Sequence, residues 1–332
     1  MPLDRRVVLL ADRVQSYGEV TQFSDNLECV SEGYFESLYS GLREVAPAVV
    51  HYSHPAQLME HIREHQDDIV FTVWSGRRSR NRRGYVGSIC EAYGIPYVGA
   101  DPYVQLLTED KSLTKQLCRK YGIDSAREVL VEGPDQLPQI DDLRCPLVVK
   151  PNAEGGSNGI TRRSLTDSHE GAKQLARELL AHFQQPILVE EYIEGREICA
   201  SIAGTPERID VLEADLLILN GKDYQAHEIY SCEPKKGEQG KVEMVRGTHL
   251  LTEQMRERFA RLFKALGKVD VMRVDGRIGP DGFKLIELSP DCYMGADGST
   301  ALCFEWAGYS YPQMLELLLQ NALAEFAKRR SL

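Results

Sequence analysis

Between residues 7 and 74 the chain alternates short apolar runs with stretches of helical spacing, and this alternation restricts the fold more than any single motif. Val7–Leu10 (VVLL) reads as a buried strand, Glu32–Val45 as a helix, 48–52 as a strand, 55–64 as a helix, and 68–74, with its run IVFTVW, as a strand. Strand, helix, strand, helix, strand within about 75 residues predicts a parallel sheet covered by helices. A helix over 84–93 stops at Gly94, and IPYVG supplies one more strand. The expected first unit is an α/β domain over residues 1–110.

A second unit, 111–197, is expected to open with the helix TEDKSLTKQLCRKYG, closed by Gly122 as a helix C-terminus often is. CPLVVKP then reads as a strand, AEGGSNGI as a glycine-rich turn, 166–183 as a helix and ILVEEY as a strand. From Glu197 the pattern turns strand-rich, through EICASIAG, DVLEADLLIL and KLIEL, with helices at Glu253–Leu266 and 311–328. A third unit, 198–332, is therefore expected to be α+β in character.

Acidic residues outnumber basic ones 50 to 39, a net charge of -11, which repels phosphate backbones and anionic membranes. Neither nucleic acid nor membrane is an expected partner. The eight cysteines run from Cys29 to Cys303 without a CxxC pair, so zinc ribbons and small disulfide scaffolds are unsupported. The apolar run at Val7–Leu10 is too short for a secretory or membrane segment, and a cytoplasmic location is expected.

Chemistry concentrates in VVKPNAEGGSNGI, residues 148–160. Lys150 at a strand end, followed by Gly155, Gly156 and Ser157, suits a polyphosphate: the ammonium supplies charge, and small residues let backbone N–H groups approach oxygens. No GK[ST] follows, which excludes a P-loop, and the next helix starts too late for a dinucleotide fingerprint. Further on, Asp275 and Glu287 lie on two strands joined by GPDG, where alternation can aim both carboxylates at one face. Two such acids match what a pair of magnesium ions requires beside a triphosphate.

Taken together, these segments resemble the ATP-grasp superfamily and, within it, the D-alanine–D-alanine ligases, over nearly the whole chain and most strongly from Asp110 to Glu287. The resemblance implies an ATP-grasp fold and two ATP-phosphate lysines, Lys111 and Lys150, with AEGGSNGI as the loop folding over the phosphates around Ser157. It implies that Glu190, Glu191 and Ile193 hold the adenine and that Glu197 holds the ribose. Arg273 is implied at the oxyanion of a tetrahedral intermediate, and Asp275 and Glu287 as metal ligands. The implied reaction is ATP-dependent amide bond formation through an acyl phosphate, acting on amino-acid or carboxylic-acid substrates with two Mg2+ ions, Mn2+ being an alternative, in a homodimer. A cell-wall D-alanine–D-alanine ligase and a non-catalytic ATP-binding protein are the alternatives.

Three positions depart from the family pattern. Ser289 stands where the third metal ligand is an asparagine, which makes Asp291 a candidate substitute. His227 stands where a lysine contacts phosphate. The substrate loop HGxxGEDG is replaced by WSGRRSRNRRGYVG, with Arg77, Arg78, Arg80, Arg82 and Arg83. Such a cluster in an acidic protein predicts recognition of an anionic substrate, since guanidinium forks bind carboxylates. GADGS (295–299) resembles the segment that binds the second substrate's carboxylate, with Ser299 as the contact.

Overall fold

The computed structural model describes residues 3–14, 27–76, 79–231 and 242–330. Its first part holds β1 (Val7–Leu10), β2 (Arg13–Val14), β3 (Val30–Ser31), α1 (Glu32–Val45), β4 (Val49–Tyr52), α2 (Pro55–Glu60), β5 (Ile69–Thr72), α3 (Tyr85–Tyr93) and β6 (Tyr97–Val98). Four of the strands form a parallel sheet in the order β4-β1-β5-β6. Alternation along β1 decides the layers. Val7 and Leu9 join a core with Leu38 and Leu42 of α1, while Val8 and Leu10 join one with Leu58 of α2 and Val86 of α3. Both faces being covered, every β1 side chain is buried, as its unbroken apolar run implies. The helix expected over 55–64 ends at Glu60 and continues as a separate 3-10 turn, Ile62–His65.

The second part comprises α4 (Pro102–Glu109), α5 (Lys111–Lys120), β7 (Glu128–Val131), β8 (Leu147–Pro151), β9 (Leu165–Thr166), α6 (His169–Phe183) and β10 (Ile187–Glu191). Its antiparallel sheet runs β7-β10-β8-β9, and Leu175 and Leu179 of α6 pack against Val149 and Val189. The sequence reads a single helix beginning at TEDK; the structure divides it at Asp110. That residue is extended (φ -87, ψ 102) and its carboxylate accepts from Leu113 N–H, so it caps α5. The break sets Lys111 at the first position of α5.

Next come β11 (Arg196–Thr205), β12 (Arg208–Leu219), β13 (Val242–Arg246), α7 (Glu253–Leu266), β14 (Val271–Gly279), β15 (Gly282–Ser289), α8 (Ser299–Trp306) and α9 (Tyr311–Arg330). The five strands are antiparallel in the order β13-β12-β11-β14-β15. Phe259 and Phe263 of α7 fill one face beside Ile198 and Met272. The last helix returns to the first sheet, where Leu315 and Leu318 share the core of α1.

Candidate functional site

Three lysines converge where the second and third sheets meet. Lys111 and Lys115 are one turn apart on α5, and Lys150 ends β8; none of their side chains is more than 5% exposed. Two of them share one carboxylate: Lys150 Nζ lies 2.6 Å from Glu190 Oε1, and Lys115 Nζ bonds Glu190 Oε2. Lys111 reaches Glu287, at 3.1 Å, and the backbone carbonyl of Glu154. Burial would raise the Glu190 carboxyl, but the two ammoniums override it and hold it at about 2. Lys150 moves the other way. Burial disfavours its charge, Glu190 compensates incompletely, and Lys115 and Lys111 repel it, so it sits below the ordinary lysine value. Lys115 also meets Glu128 at 3.4 Å, so every ammonium of this buried cluster has a carboxylate partner.

Opposite stands the β14–β15 hairpin. Asp275 pairs directly with Glu287, and Arg273 with Ser289, so alternation places all four on one face. Arg273 holds Asp275 in a bidentate fork, Nε and Nη2 each 2.7 Å from a carboxylate oxygen. Burial raises the Asp275 carboxyl; Arg273 opposes this only in part, and Glu287 adds to it. For Glu287, burial is overridden by Lys111 and Lys150, and its carboxyl is lowered. Among the described residues no group of three or more His, Cys, Asp or Glu side chains forms a metal cage. Two carboxylates with a neighbouring hydroxyl fit magnesium, which keeps water and phosphate oxygens in its shell and takes only one or two protein acids.

The glycine-rich loop is held to the first unit. Gly155 N–H donates to Glu28, whose oxygen would lie 2.9 Å from any Cβ at that position. Gly156 and Ser157 both have left-handed backbone, φ 60 and 64. For Gly156 that is free of steric cost; for Ser157 it is unusual. Glu28 in turn receives Arg82 at 2.8 Å and Arg83 at 3.0 Å. Arg82 also meets Glu109 at 2.7 Å, and Arg83 meets Asp291 at 3.1 Å. Burial drives the Glu109 carboxyl up to about 7 despite both arginines.

That network gives two of the five arginines of the expected anion-binding run partners within the protein. Arg82 and Arg83 are clamped by the protein's own carboxylates, and an incoming anion would compete with Glu28, Glu109 and Asp291. Arg80 is exposed, and Arg77 and Arg78 lie outside the described residues. Asp291, the candidate substitute metal ligand, has Arg83 as its partner. His227 is half exposed, and its Nε2 meets Asp167 at 2.7 Å on the surface. Ser299 starts α8 but is buried, and its hydroxyl bonds Asp215. Burial lifts that carboxyl to about 6. An acid at this spot opposes a substrate carboxylate.

The residues expected at a nucleotide base and sugar gather along β10 and its exit. Glu190 and Glu191 pair with β8, and Glu191 is gripped by Arg144 at 2.9 Å. The chain leaves the sheet at Tyr192, so Ile193 is the first with backbone outside a ladder; its carbonyl accepts from Arg277 at 2.8 Å. Glu197 receives Arg277 at 2.7 Å. Sequence reading overlooked Lys115, Glu28, Glu109 and Arg277. Only Lys115 carried a local signal, its four-residue spacing from Lys111 on one helix face.

A family profile described as the D-ala D-ala ligase C-terminus matches residues 127–320, more than half of the chain. An uncharacterized protein of Sinorhizobium fredii is 29% identical over 274 residues, covering 79% of this chain and 75% of that one. The D-alanine–D-alanine ligase of Actinobacillus succinogenes is 28% identical over 265 residues, covering 76% and 79%. In fold, the chain resembles the crystal structure of D-alanine–D-alanine ligase from Bacillus anthracis complexed with ATP, with a TM-score of 0.69, 17% identity and coverage of 98% and 99%.

Proposed function

This chain belongs to the D-alanine–D-alanine ligase family, and on that premise we propose that it is an ATP-dependent carboxylate–amine ligase acting on small-molecule substrates. The observation that carries the proposal is the pairing of a buried lysine cluster with an acidic hairpin, joined by the Lys111–Glu287 contact.

In this reading Lys111 and Lys150 neutralise the phosphates, and the loop around Gly155–Ser157 lies over them. Lys115 keeps Glu190 ionised and in place. A carboxylate of the acid substrate attacks the γ-phosphate; the acyl–O–P bond forms as the bond to ADP breaks. An amine then adds to the acyl carbon, loses a proton, and expels inorganic phosphate. Arg273, fixed by Asp275, lies on the face where the tetrahedral oxyanion would need a cation. Catalysis is then mostly positioning and charge neutralisation. Asp275 and Glu287 are the residues that would hold magnesium, which when bound offsets phosphate charge. Ile193 and Glu197 flank the adenine and ribose. The test is phosphate release from ATP across a panel of D- and L-amino acids, with the products weighed by mass spectrometry.

A further inference from the structure

We infer that a cleft at the C-terminal edge of the parallel sheet receives the side chain of the acid substrate, and that this side chain is large, neutral and apolar, as in an aromatic amino acid. The inference rests on the ligase reading above and names its substrate class.

The cleft measures about 790 Å³ and lies between α2 and α3, beyond the ends of β4 and β5. His54, Trp74 and Tyr85 line it, together with Pro55, Met59 and Ile89. Trp74 sits at the centre of the aromatic group, edge-on to His54 at 5.6 Å between centroids and tilted to Tyr85 at 6.3 Å. Rings so arranged suit edge and offset contacts with a further ring. Met59 is 51% exposed and Tyr85 43%, so two large apolar side chains border a concavity they do not fill. Isolated exposed apolar residues are ordinary; a group of them around a cleft of ligand size points to an occupant.

Charge sets the rest of the ligand's chemistry. Asp12 and Arg13 also line the cleft, and both are committed. Asp12 accepts from Ser75 N–H at 3.1 Å, from the Ser75 hydroxyl and from Gly76 N–H at 2.9 Å. Arg13 pairs with Glu32. His54 accepts Ala56 N–H through Nδ1 at 3.1 Å as the cap of α2. Among the described lining residues, a charged side chain entering here would lose hydration without meeting an unpaired opposite charge.

The cleft also adjoins the proposed reaction site. Gly76, at φ +65, is where they meet: a Cβ there would lie 2.5 Å from the Trp74 ring and 3.1 Å from Arg82 Cβ. The same turn thus seats the aromatic wall and the arginine clamp that continues through Glu28 to the glycine-rich loop. Asp12, on the cleft wall, is also among the acids that raise the Arg83 guanidinium. A ligand in the cleft would therefore lie against the same turn that leads to the glycine-rich loop. An alanine methyl would leave nearly all of this volume empty.

The test uses the full chain with Trp306→Phe, which leaves Trp74 as the one remaining tryptophan of two. Fluorescence is titrated with phenylalanine, either enantiomer, with alanine as control and no nucleotide present. A saturable change with phenylalanine, absent with alanine, is expected. In turnover, Trp74→Ala should raise KM for phenylalanine at least tenfold with KM for ATP unchanged. Ser88→Trp, which fills the cleft from an exposed lining position, should do the same if the first variant does not fold. No saturable change with phenylalanine, or equal affinity for alanine, overturns the inference and leaves the ligase reading standing. Failure of every amino acid to release phosphate sinks the ligase reading instead, while the titration still decides the cleft.

Discussion

Lys150 Nζ lies 2.6 Å from Glu190 Oε1, and the same carboxylate also takes Lys115, so one buried acid serves two buried ammoniums. Removing that acid takes the carboxylate partner from Lys150 and leaves Lys115 only Glu128, at 3.4 Å. Glu190→Gln should therefore destabilise the fold by roughly 3–5 kcal/mol, as breaking buried ion pairs does. Lys150→Met should cost less, because Glu190 keeps Lys115. Urea unfolding of the two variants gives the order, and the reverse order would contradict the shared-carboxylate account.

Nucleotide affinity should show the opposite order of importance for the lysine. Losing one partner of a buried charge pair costs roughly 2–5 kcal/mol, so Lys150→Met should weaken ATP binding by about thirtyfold or more. Calorimetry with magnesium and ATP checks it. Unchanged affinity would remove Lys150 from the phosphate site.

A pH dependence follows from the lowered Lys150. Bound triphosphate raises the ammonium's pKa, so binding is full strength below the free-state value. Affinity falls as pH rises through that value and levels only above the bound-state value. Lys150→Arg, charged throughout, should flatten this alkaline decline while leaving neutral-pH affinity within severalfold. An equally steep decline in the arginine variant would assign the titration elsewhere.

Glu109 makes a stability prediction of definite sign. Its folded carboxyl titrates near 7, above the ordinary glutamate range, so the folded state favours the protonated form. That contribution is fully present below the unfolded pKa and is lost as pH rises through about 7. Glu109→Gln retains it at all pH. The variant should match the wild type near pH 5 and exceed it at pH 8, by on the order of 1–3 kcal/mol. Thermal unfolding at the two pH values checks the difference, and a variant less stable at pH 8 would contradict it.

Much of this site is legible in the residues themselves, because its parts are locally encoded. The hairpin register that pairs Asp275 with Glu287 follows from alternation and the GPDG turn. Lys150 is marked by the strand end and the glycines after it. What the sequence does not show depends on distant partners. Arg82 and Arg83 look like free cations until folding brings Glu28, Glu109 and Asp291 around them, from three separate segments. His227 stands at a family lysine's position in sequence, yet its ring pairs with Asp167, sixty residues away. The break at Asp110 was local, an Asp cap that competes with helix continuation, and hydrophobic spacing does not register it.

The hairpin assigns unequal roles to its two acids. Glu287 touches Lys111 and faces the lysine cluster, whereas Asp275 is tied up by Arg273. Glu287→Gln should raise the magnesium concentration needed for half-maximal turnover more than Asp275→Asn does. Magnesium titrations of the two variants measure this, and full activity of Glu287→Gln at low magnesium would contradict the metal assignment.

The central claim, ligation through an acyl phosphate, is tested most directly by incubating the chain with MgATP and an amino-acid panel that includes phenylalanine. ADP, phosphate and product are followed together. The account predicts amino-acid-dependent phosphate release, matched one to one by an amide whose mass is the sum of its two substrates less one water. ATP bound without turnover, or phosphate released with no amide formed for any amino acid, would contradict it.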